Sequence, residues 1–276
     1  MTETGTKKHR GIALVCLVIT AAVAVAAAIG VFMRGTGATE LVMSPRGETF
    51  RMISDGIYRY NSERLVAEGV GWDIVTLFVA VPVMLLTLPF VAGGSLRGRL
   101  LALGMLGYFF YQYLMYALAW AFGPLFLLYV AIYAASLVAA GWIISTIDVP
   151  SLPKRFSPRF PGRGVGIFSV VMAVLIVGMW VSLALSALSE GVDGVLHGQN
   201  TLVVQALDLG IIVPLAVVAG VTAWRRRPIG YLLAPVFLVK GATMAAAICA
   251  MVISAWTVEG APQFPPLVMF ALATVA

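Results

Sequence analysis

Two ionisable side chains stand inside apolar runs long enough to cross a bilayer: Lys240, near the middle of residues 229–256, and Asp208, within VVQALDLGIIVP. An ammonium at the centre of a membrane span costs at least about 2.5–3.5 kcal/mol unless it is compensated, and ionisable groups at such depth often mark ion or substrate paths. The two runs are joined by the basic turn 225–227. Counted from that turn at about 1.5 Å per residue, Asp208 lies roughly 25 Å along its helix and Lys240 roughly 20 Å along its own. Opposite charges at matched depth on consecutive antiparallel helices predict an Asp208–Lys240 ion pair, direct or bridged by water. Such a pair has two uses: a clasp that holds helix register, or a titratable, substrate-binding site. The third apolar run, YFFYQYLMYALAW, adds Gln112 near the bilayer centre and hydroxyls from Tyr108, Tyr111 and Tyr116, with Tyr129 and Tyr133 following on the next run. The expected substrate- or ion-binding set is Asp208, Lys240, Gln112 and Tyr111. Against it stands ordinary core packing, in which each tyrosine hydroxyl finds a backbone acceptor.

Other chemistries lack their residues. The chain contains no HExxH, GxSxG or GxxxxGK[ST], so no nucleophile and base can be paired, and an enzyme is the poorer expectation. The only histidines, His9 and His197, lie in the leader and in a connecting loop, so no metal or haem site within the bilayer and no cofactor is expected. Cys16 and Cys249 fall inside apolar runs, where cysteine behaves as a small buried hydrophobe. Seven spans with a lysine in the last is also the plan of the retinal-binding rhodopsins. Here the orientation is opposite and the third span has no acidic counter-ion, which argues against a Schiff base.

The elements that position these groups are read from hydropathy and charge. Apolar residues make up 61% of the 276 and charged ones 11%, too few for a soluble domain. Predicted spans are 11–33, 74–93, 100–122, 125–147, 165–188, 203–224 and 229–256. The basic clusters are Lys7, Lys8 and Arg10; Arg97 and Arg99; Lys154, Arg155, Arg159 and Arg163; and Arg225, Arg226 and Arg227. All fall on one side of an alternating bundle, and by the positive-inside rule that side, with the amino terminus, is cytoplasmic. The pI near 9.5 therefore reports topology, not nucleic acid; the bilayer is the expected partner. The first span could also be read as a signal peptide, but its length favours a retained helix.

The loop 34–73, with Glu40, Glu48, Asp55, Glu63, Glu68 and Asp73 set against five arginines, is long enough to have structure of its own. A turn at Asp55-Gly56 and a helix start near Asn61 or Ser62 suggest a lid over the bundle mouth or a surface for a protein partner; the plain alternative is a linker between distant helix ends. After Pro265 and Pro266 the apolar tail 267–276 is too short to cross, and an eighth span cut short is expected there. The second and sixth spans each pair an Asp with an interior proline, Asp73 with Pro82 and Asp208 with Pro214, and Pro235 interrupts the seventh. The Asp-to-Pro spacings differ, so no internal repeat is read from them.

The segments DGIYRYNSERLVAEGVGWD and LDLGIIVPLAVVAGVTAWRRRPIGYLLAPVFLVKGAT resemble parts of uncharacterised multi-pass membrane proteins of bacteria and archaea. That resemblance implies a prokaryotic plasma-membrane protein and assigns no activity. The expected architecture is an all-α polytopic helical bundle forming one domain over 1–276, with seven complete spans. The expected function is a small-solute or ion transporter, permease-like, with a polar pocket at spans 3, 6 and 7. The alternative is a sensory or scaffolding subunit whose outer loop binds a partner. Substrate, coupling ion and oligomeric state are not legible.

Overall fold

The computed structural model describes residues 3–260 together with Val268, Ala271 and Thr274. Among them, seven helices are long and apolar enough to cross a membrane, and the chain is an all-α, multi-pass membrane bundle. They are α1 (Glu3–Phe32), α2 (Glu63–Ala92), α3 (Leu96–Ala119), α4 (Phe126–Ile144), α5 (Gly162–Glu190), α6 (Val203–Trp224) and α7 (Pro228–Glu259). Leu14, Phe78, Leu86, Leu127, Val138 and Val174 project from these helices fully or largely exposed. Such a belt of bulky apolar side chains on helices of this length suits a lipid surrounding. The centre of the bundle is α3, whose Tyr108, Phe109, Gln112 and Tyr113 have no exposed surface. It packs on α2, α4 and α7.

The second helix begins earlier than hydropathy predicts, at Glu63 and not near residue 74. Ser62 caps it, accepting from the Leu65 amide at 3.4 Å, and Arg64 pairs with Glu68 one turn on at 3.1 Å. A capped, internally paired first turn carries polar residues that a hydropathy window discards. The remaining loop is ordered. An antiparallel hairpin, β1 (Thr39–Met43) and β2 (Thr49–Ile53), pairs Thr39 with Ile53 and Met43 with Thr49. At its base, Asp55 accepts from the Thr36 amide (2.8 Å) and hydroxyl (2.6 Å), and these bonds hold its carboxyl below the usual range.

Measured from the backbone, α2 and α6 repeat one design. A π-helical turn occupies Thr76–Ala80 in α2 and Asp208–Ile212 in α6, and Val-Pro follows each, Val81 with Pro82 and Val213 with Pro214. Proline has no N–H and its ring crowds the carbonyl one turn back, so a widened turn before it relieves the helix. The turns that leave the two helices match bond for bond. Gly93, Gly94 and Ser95 donate to the carbonyls of Pro89, Val91 and Phe90, each at 2.9 Å. Arg225, Arg226 and Arg227 donate to Val221, Ala223 and Thr222 at 3.0, 3.0 and 2.9 Å. Gly94 and Arg226 share the left-handed conformation, with φ of 72° and 50°.

In the helices that follow, Gly98 abuts Phe90 and Val91, and Gly230 abuts Thr222 and Ala223, at the same register. The triplet Leu-Leu-Ala at 100–102 recurs at 232–234. One constant offset thus aligns Thr76 with Asp208, Pro82 with Pro214 and Tyr108 with Lys240. The spacings compared from Asp73 hid this repeat because Asp73 is not the counterpart of Asp208; Thr76 is. Contacts run from α7 to α2 and from α6 to α3, as two parallel repeats facing each other would require. The expected eighth span lies outside the described residues, save Val268, Ala271 and Thr274, which are helical.

This close approach yields a test. A Cβ at Gly230 would sit 2.4 Å from the Ala223 amide nitrogen, against backbone that cannot yield, whereas one at Gly241 meets nothing within 4 Å. Gly230→Ala is expected to destabilise the protein by about 1–3 kcal/mol, and Gly241→Ala to leave it unchanged, measured by thermal unfolding in detergent.

Candidate functional site

Two polar clusters lie within the bundle, one per repeat. The first is built on α2 and α3 and closed by the loop before α2. Asp73 has no exposed surface. Its Oδ2 accepts from the Tyr58 hydroxyl at 2.5 Å, and its Oδ1 accepts from Tyr116 at 3.1 Å and from Gln112 Nε2 at 3.3 Å. Burial, and then the adjacent Asp73, push the Tyr58 phenol well above its usual range, so it remains a donor. Gln112 Oε1 accepts from Thr76 Oγ1 at 2.7 Å, and Thr76 and Tyr108 share a hydrogen bond of 2.8 Å. From α1, Gly30 closes the cluster: a Cβ there would lie 2.1 Å from both Asp73 Oδ2 and the Tyr58 hydroxyl. The void beside it, at Tyr58 and Tyr116, is only about 10 Å³, less than a ligand needs. Gln112 therefore stands apart from the lysine with which it was grouped, with its amide committed at both ends.

The second cluster joins α3, α5, α6 and α7. Asp208 Oδ1 accepts from the Tyr111 hydroxyl at 2.5 Å and Oδ2 from Trp180 Nε1 at 2.8 Å. Lys240 Nζ lies over the face of the Tyr111 ring, 4.2 Å from its centroid. The expected direct Asp208–Lys240 ion pair is not formed; the Tyr111 ring links the two charges, with its face to the cation and its hydroxyl to the carboxylate. Three of the four expected residues, Asp208, Lys240 and Tyr111, are thus brought together. Trp180 was not foreseen. Its only signal was an indole N–H placed in mid-span, where it needs a buried acceptor. By sequence Asp73 is one of the 34–73 loop charges and a neighbour of Pro82, and nothing there links it to Tyr58 or Gln112.

This second cluster borders a cavity of about 600 Å³ whose walls include Met115, Phe168, Trp180, Phe237, Ala245 and Met251. That volume suits a small organic molecule, and the walls are mostly apolar with a few polar groups, as in ligand pockets generally. The repeat explains the void. At the positions where α3 carries Phe109, Tyr113 and Tyr116, α7 carries Gly241, Ala245 and Ile248. Bulk that fills one half is missing from the other. Arg64, Glu68, His197 and Gln199 line the cavity toward the hairpin end. Burial, and then the Arg64 charge, hold the His197 imidazole below its usual value, favouring the neutral form there.

The hairpin reaches the same end. Glu48, almost fully buried, accepts from the amides of His197 (3.0 Å) and Gly198 (3.1 Å), and Arg46 Nη2 donates to the Asn200 carbonyl at 3.2 Å. The loop between α1 and α2 is thereby tied to the connection that edges the cavity. Glu48→Ala is expected to release residues 195–200 while sparing the helices, read as at least tenfold faster amide exchange in that segment alone.

Comparison with protein families, with curated proteins and with solved structures returned no match to this chain.

Proposed function

We propose that the protein is a permease-like carrier of small solutes, with Asp208, Lys240 and Tyr111 as the polar part of its binding pocket. The observation that carries this reading is the contrast between the two repeats. In the first, the two positions are neutral, Thr76 and Tyr108, which share a hydrogen bond of 2.8 Å, and the acid of that network, Asp73, stands one turn away. The second repeat nonetheless carries an acid and an ammonium in the same positions, next to space from which large side chains have been removed. Charge within a membrane is costly to keep, and its retention beside a cavity favours a site over a clasp. The hairpin tied across the cavity's edge supports a lid. The basic clusters at the opposite end from the hairpin favour a cytoplasmic amino terminus in a prokaryotic plasma membrane.

The test is uptake of a pooled panel of small solutes, and of protons, into proteoliposomes. The Asp208→Asn/Lys240→Met double variant should reconstitute as wild type and lose any flux the wild type shows. Equal flux from both proteins would reject the pocket as a transport site.

A second reading has one observation in its favour. Leu41 and Met43, on β1, are 75% and 71% exposed, apolar side chains on a water-facing hairpin. A sensory or scaffolding subunit would use them to meet a protein partner. Photocrosslinking from position 41 in the native membrane should then capture one defined protein, and its absence would remove this reading.

A further inference from the structure

Resting on the pocket reading above, we propose that the cavity takes an organic anion with an apolar body, such as a medium-chain carboxylate, its acidic head held by Lys240. The two charges differ in the bonding capacity that the protein leaves them. Each oxygen of Asp208 already accepts a short hydrogen bond, from Tyr111 at 2.5 Å and from Trp180 at 2.8 Å. The carboxylate is thus supplied with donors by the protein itself, which take up about two of its four lone-pair sites and hold it in place. Lys240 differs. Its ammonium meets the Tyr111 ring at 4.2 Å, a contact that uses its charge but none of its directed N–H bonds. Among the described residues no oxygen or nitrogen acceptor lies within hydrogen-bonding distance of Nζ, although three N–H groups need partners.

A ligand that brings a carboxylate or similar anion satisfies those donors with charge-assisted bonds, in surroundings where an unmet donor is costly. The rest of the wall sets the body of the ligand. Met115, Phe168, Phe237, Met244 and Ile248 present thioether, aromatic and aliphatic surface. Methionine-rich walls adapt to flexible apolar chains. Gly241, beside Lys240, leaves open space where any side chain would reach, so the head group can approach the ammonium.

The experiment uses the full chain in lipid nanodiscs and follows quenching of the tryptophan emission to which Trp180 and Trp72 contribute. The probes are octanoate, octylammonium and octanol, which share a body and differ in the head. Octanoate should bind saturably and at least tenfold more tightly than either of the others. Lys240→Met should lose at least tenfold in octanoate affinity, and Lys240→Arg, which keeps the charge, should retain most of it. Ala245→Phe, which restores bulk of the kind Tyr113 supplies in the first repeat, should abolish binding of every probe.

Octylammonium bound more tightly than octanoate, and blocked by Ala245→Phe, would overturn the anion while leaving the pocket intact. Octanoate binding unchanged in Lys240→Met would overturn the role of the lysine. Quenching by all three probes that Ala245→Phe does not alter would signify partition into lipid and overturn both the anion and the pocket, as would no response to any probe.

Discussion

Asp73→Ala is expected to cost about 3–5 kcal/mol of stability, among the largest losses available to a single substitution in this chain. The carboxylate is the common acceptor for Tyr58, Tyr116 and Gln112, and it has no exposed surface. Its removal strands the Tyr58 hydroxyl and the Gln112 amide where water cannot replace the lost partner, each at about 1–3 kcal/mol, while Tyr116 still donates to the Gly69 carbonyl at 3.0 Å. The damage should spread beyond α2 and α3, because Tyr58 belongs to the loop before α2 and Gly30 of α1 packs against the same bond. Tyr58→Phe removes one donor and leaves the acceptor two others, so it should cost only about 1 kcal/mol. Reversible unfolding in mixed micelles measures both. A loss below about 1 kcal/mol for Asp73→Ala would mean that this cluster does not hold the first repeat together.

The second cluster should behave in the opposite way. Asp208→Asn/Lys240→Met is expected to cost at most about 1–2 kcal/mol, from the one donor that the asparagine amide leaves unmet, while removing function entirely. The double variant deletes both charges together, so neither is left uncompensated in the membrane, and replacing buried ion pairs by neutral groups of similar volume is often neutral or stabilising. The amide oxygen that asparagine places at position 208 can still accept from Tyr111 or Trp180, and methionine fills the path of the lysine stem beside a cavity that tolerates it. In the first repeat the same two positions are neutral, Thr76 and Tyr108, joined by a hydrogen bond. A double variant destabilised as severely as Asp73→Ala would make the second cluster a clasp as well.

Much of the bundle was legible beforehand, because apolar length is a property of single segments and does not depend on how segments meet. The early start of α2 was half visible: Ser62 as a cap can be read, but Glu63, Arg64 and Glu68 lower the hydropathy of a turn that the Ser62 cap and the Arg64–Glu68 pair support. Matched depth for Asp208 and Lys240 followed from rise per residue. That Tyr111 would stand between them could not, since it comes from a third helix whose rotation is set by packing. Gln112 was misgrouped for the same reason: one residue along α3 turns the side chain by about 100°, away from Lys240 and toward Asp73. The repeat was concealed by its own divergence, with Asp208 standing where the first half has Thr76 and Lys240 where it has Tyr108. The cavity was the least legible feature, since it consists of side chains that are small at positions where the other repeat has large ones.

The central claim is that of two equivalent places in a duplicated bundle, one is sealed and the other is open. Cysteine accessibility tests this without knowledge of any ligand. In a background lacking Cys16 and Cys249, Lys240→Cys and Tyr108→Cys are treated, in the folded protein in nanodiscs, with a small charged thiosulfonate. Cysteine at 240 should be modified at least a hundredfold faster than cysteine at 108, and Ala245→Phe should slow it to the same low rate. Equal protection of both positions would contradict the account.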